Sequence, residues 1–301
     1  MPRITRSLLT PIFGVTIILS LFSCSGSRQS VPEPFSNQTS TSESDEALTN
    51  QRATRIVTLT SISADMIHVL APQKLVGVPG SKLIKANKAF DDIPTVTEGR
   101  TPPDTELILS LKPDLVIGAE GFHTKTLTQL NQLGIRTLST EIKSWSDFIA
   151  LGKTLSTITA SSSSLLRPHI ENCFHTTRNS NLSTVLLVSK KPLLSPNQNS
   201  WAGNLLSRFG LINKTADFTG KSRFNGYVTL SPEKLVIVNP QTLLLVDTRD
   251  GLLAFMKAEP YWKSLAAVKS GKVFTLEYYG LVNPGSLSSI NSTCSKLNSI
   301  K

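Results

Sequence analysis

Short runs of consecutive apolar residues alternate with helix-like segments along most of the chain, from Arg55 to the C-terminus. Continuous apolar runs are typical of strands that are buried on both faces of a parallel sheet. The predicted strands are residues 56–59, 75–78, 115–117, 137–138, 185–188, 243–246 and 273–276. Helical spacing is found in residues 64–70, 106–111, 126–133 and 205–209. This alternation predicts an α/β fold in which helices cover parallel sheets.

One central stretch, residues 147–181, has no strand character and divides this pattern into two halves. Its composition predicts two helices that are separated near residues 161–164, the later one covering residues 165–178. The simplest architecture has two Rossmann-like α/β lobes, residues 54–160 and 183–301. A single long helix within residues 161–182 connects them.

The N-terminus reads as an export signal followed by a tether. Arg3 and Arg6 precede an apolar stretch that is too short to span a bilayer but suits a signal peptide. The sequence Leu21-Phe22-Ser23-Cys24 resembles a bacterial lipobox, which predicts cleavage of residues 1–23 and lipidation of Cys24. An ordinary secretory signal is the alternative. Residues 24–53 are rich in Ser and Thr and poor in apolar side chains, which predicts a flexible tether.

The overall charge is positive, with 31 Lys and Arg against 21 Asp and Glu, a formal net charge of +10. The basic residues are scattered, and no nucleic-acid-binding motif accompanies them, so we expect no nucleic-acid partner. The chain also lacks a G-x-S-x-G elbow, a P-loop, a G-x-G-x-x-G fingerprint and an H-E-x-x-H motif. The sequence therefore predicts a protein that is not an enzyme, although an exported α/β enzyme without a recognisable motif remains an alternative.

Two cysteines remain if Cys24 carries a lipid. In an exported protein Cys173 and Cys294 can pair or stay free, and the sequence leaves both possibilities open. His169 lies one helical turn before Cys173, with His175 nearby, but a fourth ligand is missing, so we expect no metal site there.

An internal repeat places one glutamate at the same position in each half. Glu106 and Glu233 each lie seven residues before a proline that an apolar strand follows. Each also comes directly after residues that start helices, Asp104 with Thr105 and Ser231 with Pro232. Acids in a first helical turn often only complement the helix dipole. Spacing alone leaves that interpretation and a functional one open.

Several segments, in order along the chain, resemble one family of binding proteins. They are Arg55-Ile-Val-Thr-Leu-Thr-Ser, Lys74-Leu-Val-Gly-Val, Glu106-Leu-Ile-Leu-Ser-Leu-Lys-Pro-Asp-Leu-Val-Ile, Leu130-Asn-Gln-Leu-Gly-Ile and Trp262-Lys-Ser-Leu-Ala-Ala-Val-Lys-Ser-Gly-Lys-Val-Phe. The chain resembles the periplasmic binding proteins of ABC importers for ferric siderophores, cobalamin and haem. The resemblance implies two lobes bridged by one rigid helix, with the ligand held in the cleft between them.

The resemblance also implies partners and a location. In that family one glutamate on each lobe docks onto arginines of the membrane permease, and the matching positions here are Glu106 and Glu233. The implied protein is a monomer in the periplasm or at the cell surface, anchored through Cys24. It delivers a metal chelate to a permease that a separate ATPase drives.

Ligand contacts are expected in the loops at the carboxyl ends of the strands, where α/β clefts form. The candidate residues are Arg100, His123, Trp201, Arg223, Tyr227, Arg249, Tyr278 and Tyr279. Aromatic rings suit a corrin, a porphyrin or catecholates, the arginines suit an anionic ferric chelate, and His123 suits axial haem ligation. The stretch 79–85 lacks the Tyr-Pro that is usual in the cobalamin branch. A ferric siderophore is therefore favoured over cobalamin, with haem as the alternative and no resident cofactor.

Overall fold

The computed structural model describes residues 51–98, 101–174, 181–220, 222, 224–247 and 251–300 of the chain. The predicted signal peptide, Cys24 and most of the predicted tether lie outside these residues. Ala53 is fully buried and its backbone N–H donates to the carbonyl of Ile158 at 2.9 Å, so the folded part already includes the end of the predicted tether. No helix within the described ranges is long and apolar enough to cross a membrane.

The first lobe is built on a four-stranded parallel sheet. Its strand order is β2-β1-β3-β4, so β1 and β3 lie in the middle and are covered on both faces. The strands are β1 (Ile56–Thr58), β2 (Leu75–Gly77), β3 (Leu115–Ala119) and β4 (Thr137–Thr140). The helices are α1 (Ser61–Leu70), α2 (Lys82–Lys85), α3 (Thr105–Ser110) and α4 (Thr124–Gln132), with 3-10 turns at Pro72–Lys74 and Lys88–Phe90. The two short elements around residues 82–90 lie between β2 and α3, outside the predicted helices and strands.

The second lobe repeats this parallel sheet and adds a small antiparallel one. The parallel sheet has the order β11-β10-β5-β8, and the antiparallel sheet has the order β6-β7-β9, which the sequence analysis did not predict. The strands are β5 (Ser183–Leu187), β6 (Ser189–Lys190), β7 (Leu193–Pro196), β8 (Ile212–Asn213), β9 (Tyr227–Thr229), β10 (Thr242–Asp247) and β11 (Val273–Glu277). The helices are α6 (Trp201–Arg208), α7 (Pro232–Val238), α8 (Leu252–Ala258), α9 (Ala266–Lys269), α10 (Tyr278–Leu281) and α11 (Leu287–Asn298), with a 3-10 turn at Trp262–Ser264.

The connection between the lobes differs from the single long helix that the sequence predicted. The long α-helix of this region, α5 (Trp145–Thr159), ends before the connection, at Ala160 in a left-handed conformation. The segment that follows, Ser163–Cys173, forms 3-10 turns and departs from helical geometry at Ile170. Pro168 lies inside it, and a proline has no N–H to donate and clashes with the preceding helical turn. The described part of the connection is therefore a kinked segment, although the two-lobe α/β architecture is confirmed.

One apolar core lies between the two parallel sheets. It joins side chains on one face of the first sheet, such as Ile56 and Ile117, to side chains of the second sheet, such as Leu186 and Leu244. Helix α5 supplies Phe148 at its centre, which is 1% exposed. The lobes thus share a core in addition to the covalent connection.

A disulfide closes this region. Cys173, at the end of the kinked segment, is bonded to Cys294 of α11, across a sequence separation of 121 residues. The two cysteines therefore pair in the fold, whereas the sequence left pairing and free thiols equally open. The sulfur of Cys173, which lies one helical turn after His169 in the sequence, is thus part of the disulfide.

Candidate functional site

Loops at the carboxyl ends of all four strands of the first sheet enclose a cavity of about 450 Å³. Among the described residues of the second lobe, those of its last loop line this cavity, namely Tyr279 and residues 283–285. The lining residues are Leu59, Thr60, Ser61, Ile62, Pro79, Ser81, Thr97, Thr101, Ala119, Glu120, Phe122, His123, Thr140, Glu141, Ile142, Tyr279, Asn283, Pro284 and Gly285. A volume of this size lies within the range that holds drug-sized ligands, about 300–1,000 Å³.

His123 lies at the wall of the cavity, directly before α4. Its side chain is 7% exposed, and its Nδ1 accepts a hydrogen bond from the backbone N–H of Ala119 at 2.9 Å. Burial lowers the pKa of His123 because the charged imidazolium would lose its hydration. Gly118 of β3 makes room for the ring, since a Cβ there would lie 2.9 Å from the Cβ of His123. His123 is therefore a neutral, fixed imidazole.

Threonine hydroxyl groups line the same cavity, and several already donate their protons within the protein. Thr60 donates to Ser63 at 2.7 Å, Thr101 to the carbonyl of Glu98 at 2.7 Å, and Thr140 to the carbonyl of Gly118 at 3.0 Å. An oxygen that has committed its proton in this way still has lone pairs to offer. Their oxygens can accept further hydrogen bonds, although that of Thr101 already accepts the backbone N–H of Glu98 at 3.3 Å.

Two carboxylates face the same space. Glu141 is paired with Lys143, whose ammonium lies 2.7 Å from the carboxylate and whose pKa this contact raises. Glu120 is exposed, and its negative charge also raises the pKa of Lys143, to a lesser degree than Glu141 does. The two acids of the lining therefore share the positive charge of Lys143.

Three of the predicted tyrosines come together beside the cavity. Tyr279 lines it, and the ring of Tyr278 packs edge-on against that of Tyr279 at 5.3 Å between centroids. The pKa of Tyr227 is raised, first by burial and then by the proximity of Tyr278. Gly285 lets the Tyr279 ring lie against the backbone, because a Cβ there would come within 2.8 Å of it. The structure thus places this aromatic group at the boundary between the lobes.

Trp201 occupies a different place from the one that the sequence predicted. It is 3% exposed, stacks on Trp145 at 6.1 Å between centroids, and donates its indole N–H to the carbonyl of Gly280 at 2.8 Å. A buried indole requires such a partner, and the core of the second lobe provides it. Trp201 is therefore a core residue in this structure. Arg100, Arg223 and Arg249 lie outside the described residues.

The two repeated glutamates occupy equivalent helix starts, as the sequence predicted. Glu106 lies in the first turn of α3, which the side chain of Asp104 caps, and Glu233 lies in the first turn of α7, which Ser231 caps. The pKa of Glu233 is lowered by its own backbone N–H and by the Ser231 hydroxyl. Both glutamates are exposed. Because these helices lead back into parallel strands, their N-termini lie at the same edges of the sheets as the cavity.

Exposed apolar side chains lie one turn beyond each glutamate. Leu109 on α3 and Val236 on α7 occupy the same repeat position and are both 39% exposed, and Ile237 is 81% exposed. Both helices therefore expose apolar as well as acidic side chains close to their N-termini. Sequence reasoning singled out the acids but missed these neighbours.

The wall that β4 contributes was also missed. Thr140, Glu141 and Ile142 line the cavity, although none of the predicted ligand-contact residues lies at this strand end. The strand itself was predicted only over residues 137–138, because Ser139 and Thr140 interrupt its apolar pattern. Polar residues directly after a predicted strand, as at Ser139 and Thr140, are the sequence signal for this part of the cavity lining.

Comparisons with known proteins agree with this geometry. The family model described as periplasmic binding protein matches residues 56–164. A comparison with curated proteins gives no match. The structure is similar to the periplasmic vitamin B12 binding protein of Vibrio cholerae, with a TM-score of 0.62 at 22% identity over 81% of this chain and 96% of that chain.

Two further solved structures show the same fold with other ligands. The periplasmic catecholate-siderophore binding protein of Vibrio cholerae gives a TM-score of 0.65 at 18% identity over 82% of this chain and 94% of that chain. The periplasmic haem binding protein of the same organism gives a TM-score of 0.64 at 19% identity over 81% of this chain and 98% of that chain. The predicted resemblance is confirmed: residues 56–164 match the periplasmic binding protein family, and the described chain has the fold of that family.

Proposed function

We propose that this protein captures a metal chelate outside the cytoplasm and delivers it to the permease of an ABC importer. The observation that carries the proposal is the cavity of about 450 Å³ at the strand ends of the first lobe, which the last loop of the second lobe closes. Such a site can hold a ligand and release it without chemical change. The protein performs no reaction of its own, and an enzyme without a recognisable motif is the alternative from another class.

A ferric siderophore is the favoured ligand, with cobalamin next. Tyr279 and Phe122 at the cavity offer flat apolar surface to the organic shell of such a chelate. Haem, the third class, is disfavoured by His123. Axial ligation through Nε2 would require a proton on Nδ1, and that atom accepts the N–H of Ala119.

Glu106 and Glu233 are proposed to contact arginines of the permease, one from each lobe. A carboxylate can receive a guanidinium through two parallel hydrogen bonds, which fixes orientation as well as contributing affinity. Leu109, Val236 and Ile237 are exposed beside these acids and supply an apolar border to the same contacts.

The remaining parts of the proposal concern the N-terminus. Cys24 carries the lipid, and the tether behind it lets a monomeric binding protein reach a membrane partner in the periplasm or at the cell surface. Residues 56–164 match a family of periplasmic proteins, which supports export.

The test is a titration of the purified protein with ferric siderophores, cobalamin and haemin, followed by calorimetry and by the fluorescence of Trp145, Trp201 and Trp262. Saturable binding of one class with a sub-micromolar dissociation constant is expected. Iron-free siderophore is the matched control, because it contains the same organic groups without the compact chelate. Absence of binding for all three classes would contradict the proposed function, and assays for an enzyme would follow.

A further inference from the structure

We propose that Asp65 and Trp201 are positioning residues for ligand binding, which hold Tyr279 in place at the cavity from the two lobes. Asp65 belongs to the first lobe and Trp201 to the second, and neither is among the residues that line the cavity. Both contact the chain at or next to residues 279–285, which are called the Tyr279 loop from here on. The inference rests on the proposed function, because it concerns ligand affinity at the same cavity.

The Tyr279 loop is tied together by its own backbone. The N–H of Gly280 and the N–H of Gly285 both donate to the carbonyl of Asn283, each at 2.7 Å. Gly280 has a φ of +88°, a backbone conformation that glycine adopts without the steric cost that a Cβ would add. A contact that fixes one part of this loop therefore restrains Tyr279 as well.

Trp201 holds the loop from the second lobe. Its indole N–H donates to the carbonyl of Gly280 at 2.8 Å, directly after Tyr279, and the side chain is 3% exposed. A Cβ on Gly280 would collide with the carbonyl of Ser289, so the loop also lies directly against α11. Because a buried indole N–H that loses its partner costs free energy, this hydrogen bond fixes the peptide group that follows Tyr279.

Asp65 holds the other end of the loop from the first lobe. Its carboxylate accepts the backbone N–H of Leu287 at 2.7 Å, two residues beyond the loop and 222 residues away in the sequence. Leu287 is the first residue of α11, and a negative charge is favourable at the N-terminus of a helix. The contact thus ties the start of α11, and with it the end of the Tyr279 loop, to α1.

The helices of the first lobe that receive the loop also line the cavity. Helix α1 begins at Ser61 and α2 follows Ser81, and the hydroxyls of these two lining residues are hydrogen-bonded to each other at 2.6 Å. Gly285 lies against Leu83 of α2 and against the ring of Tyr279, since a Cβ there would collide with both. The position of this ring relative to the wall of the first lobe therefore depends on how the loop is anchored.

Anchoring of the loop contributes to affinity through preorganisation. An aromatic side chain that is already fixed loses less conformational entropy when a ligand packs against it. Loss of either attachment leaves the Tyr279 ring at the cavity but allows it more freedom. We therefore expect each attachment to contribute less to binding than the ring itself does.

The first measurement needs no ligand. Hydrogen–deuterium exchange of the purified full-length protein, read by mass spectrometry, reports how readily the amides of residues 279–287 open. Asp65→Ala and Trp201→Phe should each accelerate this exchange by about tenfold, because each removes one partner of a hydrogen bond and leaves the other. Asp65→Asn keeps an oxygen acceptor for the same N–H and should stay within about twofold of the unsubstituted protein.

Asp114→Ala is the matched control for the exchange measurement. The carboxylate of Asp114 also accepts a backbone N–H at 2.7 Å, that of Thr54. Asp114 directly precedes β3, so this contact lies at the amino end of the first sheet, whereas the cavity lies at the carboxyl end. The control should leave the exchange of residues 279–287 unchanged.

The second measurement determines whether the effect on binding passes through Tyr279. A ferric trihydroxamate, a ferric triscatecholate, cyanocobalamin and haemin are each titrated into the protein in a calorimeter. For each of these that binds, Asp65→Ala and Trp201→Phe should weaken binding by about threefold, and Tyr279→Ala should weaken it more. In the Tyr279→Ala background, the same two substitutions should change the affinity by less than about 1.5-fold, because residues that act through one side chain are not additive with its removal.

Two outcomes would overturn the inference. Unchanged exchange in both Asp65→Ala and Trp201→Phe would show that the two contacts do not hold the loop. A loss of affinity that persists in the Tyr279→Ala background would show that these residues act on the fold as a whole. Failure of all four probes to bind would instead contradict the proposed function, and the exchange rates would still decide whether Asp65 and Trp201 hold the loop.

Discussion

The two lobes share a sheet topology but contribute unequally to the cavity. The first lobe supplies the ends of all four of its parallel strands, and the second supplies Tyr279 and residues 283–285 from one loop. The helix starts at Glu106 and Glu233, by contrast, are matched in position, capping and exposure. Under the proposed function, the internal repeat serves docking and the departure from that repeat serves ligand binding.

The largest effect is expected when Glu106 and Glu233, the matched glutamates of the two lobes, are both removed. The double variant Glu106→Ala/Glu233→Ala should reduce uptake in cells by on the order of 100-fold, since each substitution leaves a guanidinium of the permease without its partner. Each single variant should lose less of the uptake than the double variant, and the two single losses should be similar. Uptake of radiolabelled iron chelate is the measurement, with calorimetry to confirm that ligand affinity changes less than about twofold. A loss of affinity would instead place these acids in the binding site.

The disulfide distinguishes the second lobe from the first. Cys173→Ser/Cys294→Ser should lower the free energy of unfolding by about 2–5 kcal/mol, because it frees a long loop in the unfolded chain. Chemical denaturation followed by circular dichroism measures this change. Reductant should produce the same shift in the unsubstituted protein and none in the variant. Equal denaturation midpoints for the two proteins would show that the bond contributes no stability.

Because the first lobe contributes most of the described cavity lining, a small change in its strand β3 should affect ligand binding. Gly118→Ala forces its new methyl against the Cβ of His123 at 2.9 Å and should cost about 1–3 kcal/mol of stability. Displacement of His123 should also weaken chelate binding by about tenfold. Gly220→Ala in the second lobe is the control, because a Cβ there meets nothing within 4 Å. Equal effects of the two substitutions would contradict the assigned role of this strand.

The contribution of the second lobe should be smaller. Tyr279→Ala removes the aromatic surface at the cavity and should weaken binding by about 0.5–1.5 kcal/mol, whereas Tyr279→Phe should retain most of it. Calorimetric titration of both variants measures the difference. If Tyr279→Ala weakens binding more than Gly118→Ala does, the second lobe is the principal binding lobe, and the comparison above is wrong.

The smallest expected effect concerns the polar contact between the lobes. The carboxylate of Asp65 in α1 accepts the backbone N–H of Leu287 at 2.7 Å, and burial raises the pKa of Asp65 above its ordinary value of 3.8. A raised carboxyl pKa means that the folded state binds the proton more tightly, so the ionised group costs stability at neutral pH. Asp65→Asn keeps an acceptor without the charge and should be slightly more stable there.

The pH dependence checks the sign of that effect. The advantage of Asp65→Asn should shrink as pH falls from neutral towards 3.8, because the cost of the ionised Asp65 disappears once it is protonated in both states. Thermal unfolding of both proteins between neutral and acid pH is the measurement. An advantage that grows as pH falls would show that the carboxylate is stabilised in the fold.

Most of the parallel strands were predictable because their side chains are buried on both faces, which leaves continuous apolar runs such as Val116 and Ile117. The two-residue parallel strand β8 (Ile212–Asn213) was not predicted, because it is too short to form such a run. The connection between the lobes was not predicted correctly, because its lack of strand character indicated a helix, whereas Pro168 inside it disfavours a regular one. The small antiparallel sheet was missed for a related reason. Its strands are short, and Tyr227–Thr229 carries no apolar run.

For the cavity, the sequence identified the loops but not every side chain. His123 and Tyr279 were predicted and line it, whereas Trp201 was predicted there and lies in the core. Both tryptophan and tyrosine suit a ligand site, and only packing distinguishes a ring that stacks on Trp145 from one that faces a cleft. The wall at Glu141 was missed because its strand ends in polar residues.

The sequence by itself determined the α/β class, the two-lobe repeat and the paired glutamates, because periodic burial and helix capping act over a few neighbouring residues. Only the tertiary structure decided the pairing of Cys173 with Cys294, the burial of Trp201 and the hydrogen bond that fixes the imidazole of His123. The cysteines and the tryptophan meet partners far away in the chain. The histidine meets a neighbour, but the tautomer that results depends on the burial of its ring and on the space left by Gly118. Contacts of this kind depend on the assembled fold, and the chemistry of the cavity depends on them.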